Sequence, residues 1–526
     1  MSVGTVLSRV TGLLRLIAIT AALGIAEPGS IADTYNYGNT APNIIYELVL
    51  GGVLTSVFVP VFVELLEKEG RERAWQVASA IINVSLVVLI AMTVVGVVAA
   101  PFIAKFYALD LAGEAARLKQ QAAMTFLLRL FIPQIIFYGL TAITAGFINA
   151  HKRFGAPMYT PVLNNLAVIA VFVAFRQAYG TVTLGSISNA QLWIIGLGTT
   201  SGVALMAFAQ LPFLKGLGTY RMTVSIRHPS IRKLGRLSLW VIGYVIVNQI
   251  GYLIVQRLAT GQPGAYSAYI SAFTFFMLPH GLFAVSVTTA LLPGMSELAV
   301  NSDWQGFRER LSIGVRATIL LALPATIGYL VLAEPIVGLL LKNGAVTTAS
   351  IQLVAGALQF FVLGLLPFSL FQLFLRAFYS MHDTKTPFLI NCGAVALNIV
   401  VNVVAFSVLD LGVQGLAAGH ALAYLSGVVV QQRVLGGRIG GIDGRRILTG
   451  GLRIAVAAAG MGALVWLSWR AIRTPFESQG RLLQGALLLF PLAVGVVSYL
   501  GFAIALRVEE LSFVRTALAR RARTGR

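Results

Sequence analysis

Val84-Ser-Leu-Val-Val-Leu-Ile-Ala-Met-Thr-Val-Val-Gly-Val-Val-Ala-Ala100 decides which solvent this chain folds in. No charge interrupts the sequence from Ala74 to Ala104. A helix crossing a 30 Å hydrocarbon core needs about 20 predominantly apolar residues, and this stretch has more than enough. The rest of the 526-residue chain follows suit, with 57% hydrophobic residues, 11% charged residues and a mean hydropathy of +0.83. A soluble domain has roughly a quarter charged residues. The expected class is an all-α polytopic membrane protein.

Apolar runs between charged or Gly/Pro-rich punctuation predict about fourteen transmembrane helices. They fall near 3–24, 31–65, 75–106, 119–150, 157–176, 190–213, 237–259, 264–298, 312–341, 349–380, 386–408, 413–434, 448–469 and 482–507. The net charge of +20 is what topology selection and anionic lipid headgroups produce. No basic patch with interleaved aromatics argues for nucleic acid. Most Lys and Arg, including Lys68, Arg71, Arg73, Lys215 to Arg236 and the tail from Arg507, fall on one side of the spans, which puts both termini in the cytoplasm. The first span carries Arg9 and Arg15 and ends in Glu27-Pro28, unlike a cleavable signal. Cys392 is the single cysteine, so no disulfide is available within the chain.

The two halves repeat. Pro60-Val-Phe-Val-Glu64-Leu65 matches Pro293-Gly-Met-Ser-Glu297-Leu298 at an offset of 233, and Gly146-Phe147-Ile-Asn149-Ala-His151, followed by Pro157, matches Ala377-Phe378-Tyr-Ser380-Met-His382, followed by Pro387, at offsets of 231 and 230. Six spans separate the members of each pair, so two six-helix lobes are expected in a parallel repeat around a cavity, with spans 13 and 14 added. The expected organisation is an N-lobe at 1–214, a basic cytoplasmic linker at 215–236, a C-lobe at 237–435, the additional spans at 448–507 and a basic tail at 508–526.

Ionisable residues within spans are expensive and face a cavity or one another. Arg9 and Arg15 lie about 9 Å apart along a helix and about 120° around it. Both can line one cavity and hold phosphate oxygens bidentately. Alternatively they neutralise Asp33 and Glu47, or Arg9 snorkels to the interface. Asp33, at the start of span 2, serves either as a cap or as a gate. Glu47 lies deeper in that span, and Arg129 in span 4 joins the cavity or an ion pair. Asn248 with Gln249, and Asn398 with Asn402, offer amide oxygens for a sodium or other cation site, or hydrogen bonds between helices. His280 and His420 are read as hydrogen-bonded structural residues rather than proton relays. No Walker loop, metal spacing or Gly-x-Ser-x-Gly is present, so a transporter without covalent chemistry is expected.

These residues resemble the MurJ/MviN family of the multidrug/oligosaccharidyl-lipid/polysaccharide exporter superfamily. The resemblance rests on Ser8-Arg9-Val10-Thr11-Gly12-Leu13-Leu14-Arg15, Ala32-Asp33, Pro42-Asn43 and Phe58-Val59-Pro60. It continues through Arg153-Phe154-x-x-Pro157-x-x-x-Pro161-x-x-x-Asn165, Gln210-Leu211-Pro212 and Phe378-Tyr379-Ser380-x-x-Asp383-x-Lys385-Thr386-Pro387. Tyr46-Glu47-Leu48-x-x-Gly51-Gly52 and Pro279-x-Gly281 look like the actinobacterial branch. The resemblance implies alternating-access flipping of lipid II, an undecaprenyl-pyrophosphate-linked glycopeptide, across a bacterial cytoplasmic membrane. It also implies substrate-binding roles for Arg9, Arg15 and Asp33, places Asn43 beside them, and makes the last two spans similar to a groove for the lipid tail. Leu16 stands where the family has an acid, Tyr46-Glu47 where it has paired arginines, and Phe273-Thr274-Phe275-Phe276-Met277 where it has Asp-Arg-x-x-Glu. A second-lobe arginine for a phosphate clamp is thus absent.

The expected partners are lipid II, membrane lipids and cell-wall synthesis enzymes. No cofactor is expected beyond a coupling ion, sodium or proton, or the membrane potential. Rival expectations are an exporter of another lipid-linked oligosaccharide or of amphipathic cations, and a non-transporting cell-wall scaffold.

Overall fold

The computed structural model describes residues 2–47, 70–217 apart from 112, 152 and 154, residue 220, and 229–511. Most of span 2, Phe58-Val59-Pro60, Glu64, much of the basic linker and the tail from 512 lie outside the described residues.

The first helices are α1 (Ser2–Leu23), α2 (Ala32–Tyr46), α3 (Gly70–Phe106), α4 (Glu114–Phe131), α5 (Gln134–Ala150), α6 (Gly155–Tyr179) and α7 (Asn189–Phe208). They continue with α8 (Pro229–Ala259) and α9 (Ala265–Pro279), then a wide π-helical turn (His280–Ala284) that runs into α10 (Val285–Val300). The remainder are α11 (Trp304–Leu341), α12 (Thr348–Leu363), α13 (Leu365–Ser380), α14 (Lys385–Ser407), α15 (Gly412–Ile439), α16 (Gly444–Ser478) and α17 (Arg481–Ala505). Twelve spans among the described residues are long and apolar enough to cross a membrane, and the pair α12–α13, bent by 47°, adds one more. The remaining expected span, the second at 31–65, is described only to Glu47.

The chain packs as two compact units, 1–268 with 343–350 and 269–342 with 351–526. In the first, α1 lies along α6, α6 along α7, and α4 against α2, α3 and α7. In the second, α14 pairs with α15, α16 with α17, and α11 runs beside both α13 and α16. Lipid is as apolar as a leucine side chain, so helix association relies on close approach and interhelical polar contacts. Gly419 of α15 illustrates the first, because a Cβ there would sit 1.9 Å from Asn402 Oδ1 of α14.

One backbone irregularity falls at the offset of the sequence repeat. The helix breaks at Ile132, between α4 and α5, and again at Gly364, between α12 and α13, 232 positions later. The helix also widens into a π-helical turn at His280–Ala284. Wide turns of this kind commonly mark functional segments.

Candidate functional site

The first unit holds most of the expected charged positions. α1 is fixed against α6 by Asn165, whose Nδ2 donates to Thr11 Oγ1 (3.0 Å) and to the Ser8 carbonyl (3.3 Å). Two of the quoted motifs therefore meet as a helix–helix staple. Arg9 and Arg15 are both half-buried on this helix. Neither forms an ion pair with Asp33 or Glu47, so mutual neutralisation does not describe this arrangement. Arg15 lies close enough to Tyr35 and Tyr138 for its charge to act on both hydroxyls. Tyr35 also pairs with Thr199 Oγ1 at 2.9 Å and sits edge-on to Phe131 and Phe172. Tyr138 faces the Tyr46 ring at 5.9 Å, and Glu47, half-buried, follows it. Asn43 and Arg129 are exposed, Arg129 in the last turn of α4 just before the break at Ile132.

Asp33 is placed differently from a cap on its own helix. Its carboxylate, 3% exposed, accepts from the Gly264 N–H (2.6 Å), the Ser267 N–H (2.8 Å) and Ser267 Oγ (2.5 Å), so it caps the first turn of α9. A carboxylate at a helix N-terminus satisfies orphan N–H groups and meets the positive end of the dipole. Gly264 is required there: its φ is +85°, and a Cβ would come within 2.2 Å of Ala26.

A hydroxyl network backs this contact. Tyr37 stacks between Tyr107 (4.8 Å) and Tyr266 (4.2 Å). Tyr37 and Tyr107 donate to Gln256 O and Oε1, Gln256 Nε2 donates to Tyr266 Oη, and Tyr266 donates to Thr40 Oγ1. Glu27, between α1 and α2, accepts from Ile25 N, Thr347 N and Thr347 Oγ1. Burial pushes its carboxyl up, yet the bonds to Ile25, Thr347 and Ser350 hold it below the ordinary glutamate value. The sequence reading missed Tyr35, Tyr138, Gln256 and this role of Glu27. The available signal was several hydroxyl-bearing rings in apolar spans, which need partners when buried.

The amides expected to offer oxygens to a cation make bonds along their own helices through their N–H₂ groups. Asn248 Nδ2 donates to the Tyr244 carbonyl of its own helix (2.8 Å), and Asn402 Nδ2 donates to Asn398 Oδ1 (3.0 Å). Asn402 Oδ1 is left as a buried acceptor.

In the second unit the last quoted motif is a loop clip. Asp383 accepts from Thr386 N (2.9 Å) and pairs with Arg438, which also donates to Thr386 Oγ1 and lies 5.5 Å from the Phe378 ring. Burial raises the Asp383 carboxyl, but Thr386 and Arg438 hold it below the ordinary aspartate value. A second ion pair, Arg316 with Glu510 at 2.7 Å, is buried between α11 and the segment after α17.

The sequence profile described as "Lipid II flippase MurJ" matches residues 20–478. The chain is 28% identical over 98% of its length to a probable lipid II flippase MurJ of Rhizobium meliloti (strain 1021), covering 94% of that protein. It is 30% identical to a lipid II flippase MurJ of Burkholderia cenocepacia over 74% of each. Among solved structures, "Lipid II flippase MurJ, inward closed conformation" superposes with a TM-score of 0.75 at 21% identity, over 96% of this chain and 98% of that one. An inward-facing MATE family transporter of the MOP superfamily superposes with a TM-score of 0.66 at 14% identity, over 84% and 95%.

Proposed function

The chain belongs to the lipid II flippase MurJ family, and from that premise we propose how its own residues move lipid II across the cytoplasmic membrane. Arg15 and Arg9 grip the pyrophosphate of the headgroup from the first unit. Tyr35 and Tyr138 orient Arg15, and Arg129 adds positive charge farther along. The observation that carries this reading is that both α1 arginines lack an acidic partner among the described residues, while Asp33 is consumed elsewhere. Arginine suits the task because its fork matches phosphate oxygens and stays charged at any physiological pH.

Asp33 and Glu27 act as the latch of the opposite gate. With both termini cytoplasmic, residues 24–31 lie on the outer side, and their contacts with 264–267 and 347–350 close that side while the headgroup enters from within. Opening requires Asp33 to release three donors together, which turns a small movement of α9 into a two-state switch. Glu47, beside Tyr46, bounds the arginine site and discriminates against headgroups of greater negative charge. Cell-wall enzymes that make lipid II on the inner side are the natural partners of the basic cytoplasmic segments.

Arg15→Ala tests the headgroup role by complementation of a flippase-depleted cell, combined with lipid II accessibility at the outer leaflet. Losing a charge-assisted contact of about 1.5–3 kcal/mol lowers transport roughly 10- to 150-fold with the protein still inserted. Full complementation by this variant would remove the headgroup role. An exporter of amphipathic cations would instead fail in Glu47→Gln and tolerate Arg15→Ala.

A further inference from the structure

His420 of α15 stands in a box of aromatic rings. Its centroid lies 5.7 Å from Phe273, 5.5 Å from Phe276, 5.3 Å from Phe361, 5.7 Å from Phe368 and 4.7 Å from Tyr424. His280 of the π-helical turn reaches the same box, 4.6 Å from Phe368, with Nδ1 at 3.0 Å from Ser369 Oγ. The two histidines therefore differ. His280 has the hydrogen bond expected of a structural residue, whereas His420 Nε2 is buried and has no hydrogen-bond partner among the described residues.

A neutral imidazole gains little from such a box, because ring faces are poor partners for a nitrogen lone pair. An imidazolium gains more, since ring faces attract cations. Ring faces alone do not compensate a charge in an apolar span. An acid normally would, but α9, the π-helical turn, α12, α13, α14 and α15 contain no Asp or Glu. The titratable groups they bring are Tyr269, by way of Phe361, then His280 and Tyr424, with Tyr266 on α9, Tyr379 on α13 and Cys392 on α14; from α11, Tyr329 donates to the Phe275 carbonyl. Arg376, Lys385, Arg433 and Arg438 are the cations of these helices. α11 meets α15 through Arg308, which donates to the Ile439 carbonyl about 28 Å along the helix from His420. Glu309 is at that far end, and Glu334, the other acid of α11, is exposed.

We propose that His420 is a proton-binding site of the second unit, charged only while an anionic headgroup lies against that unit, so that proton uptake and headgroup binding are linked. A proton from water adds to the ring nitrogen and returns to water when the headgroup leaves, with no other bond changed. The inference rests on the flippase reading and deepens it: a conditional cation stands in the lobe whose Phe273–Met277 stretch lacks the arginine of the family's Asp-Arg-x-x-Glu. By linkage, each ligand raises affinity for the other equally.

The test is histidine-selective NMR of the full chain in lipid nanodiscs between about pH 4 and pH 8, with and without lipid II, alongside lipid II affinity over the same range. His420→Phe keeps a ring in the box, and His420→Gln keeps a polar group. The expected result is one histidine resonance, absent from both variants, whose titration moves to higher pH when lipid II is added. Wild-type affinity should rise by up to about tenfold per pH unit on acidification, and the variants should lose that slope. A resonance that lipid II leaves unmoved, or the same slope in His420→Phe as in wild type, overturns the proposal. If neither variant folds, the resonance is assigned from contacts with the Phe276 and Phe361 rings. Lipid II binding undetectable at every pH would refute the flippase reading instead. The titration is then repeated with inorganic pyrophosphate, and a moved resonance supports the proton site while an unmoved one overturns it.

Discussion

Three residues before its helix break the first unit carries Arg129, exposed; three residues before the matching break the second carries Phe361, fully buried. The second also has a wide turn, which opens at His280. The break is the same and the chemistry is opposite. One unit surrounds its break with fixed charge and hydroxyls, the other with aromatic rings and imidazoles. A repeated scaffold can therefore carry different chemistry in its two halves: fixed charge in one, and imidazoles among aromatic rings in the other.

Truncating Phe361 to alanine tests that contrast most severely. A ring packed against Tyr269, Phe273, Phe276 and His420 should cost about 3–5 kcal/mol on removal, read as a large fall in the thermal unfolding temperature in detergent. The matching Arg129→Ala should stay within about 0.5 kcal/mol, since it empties an exposed site. Equal losses in the two variants would erase the distinction between the units.

Asp33→Asn sharpens the comparison from the first unit's side. It keeps the shape but removes the charge at the start of α9 and turns an N–H₂ toward existing donors. The cost should be about 2 kcal/mol, seen as roughly 30-fold faster thiol labelling of a Ser30→Cys reporter. Unchanged labelling would separate Asp33 from the latch.

The smallest expected effect is acid sensitivity at the Asp383–Arg438 clip of the second unit. Because the folded carboxyl lies below its ordinary value, its contribution is present above the usual aspartate range near about 3.9. It is lost as pH falls through the lower folded value. Arg438 is 43% exposed, so solvent screening keeps the pair under about 1 kcal/mol. Wild type and Arg438→Gln should differ by that much at neutral pH and converge in acid.

The sequence alone disclosed the lipid environment, the repeat and the arginines of α1, because each is written locally as hydropathy, spacing or an out-of-place charge. It did not disclose that Asp33 caps α9. A helical period identifies which face is buried but not which distant segment covers it, and the donors lie 231 and 234 positions away. Glu27 read only as punctuation after the first span, since its donor Thr347 is 320 positions away. The aromatic box was hidden for another reason. Phe273, Phe361 and Phe368 are ordinary residues for apolar spans, and only their convergence on one imidazole distinguishes them.

Asp33 also sets a schedule for biogenesis. The carboxylate emerges early from the ribosome, while Gly264 and Ser267 emerge more than 230 residues later. At roughly 5–20 residues per second, that wait is about 12 to 46 seconds. Throughout it, a segment destined for lipid carries a carboxylate without its donors. The start of α2 must therefore linger at the membrane surface or inside the insertion machinery, and the amino-terminal helices complete their assembly only after the middle of the chain arrives.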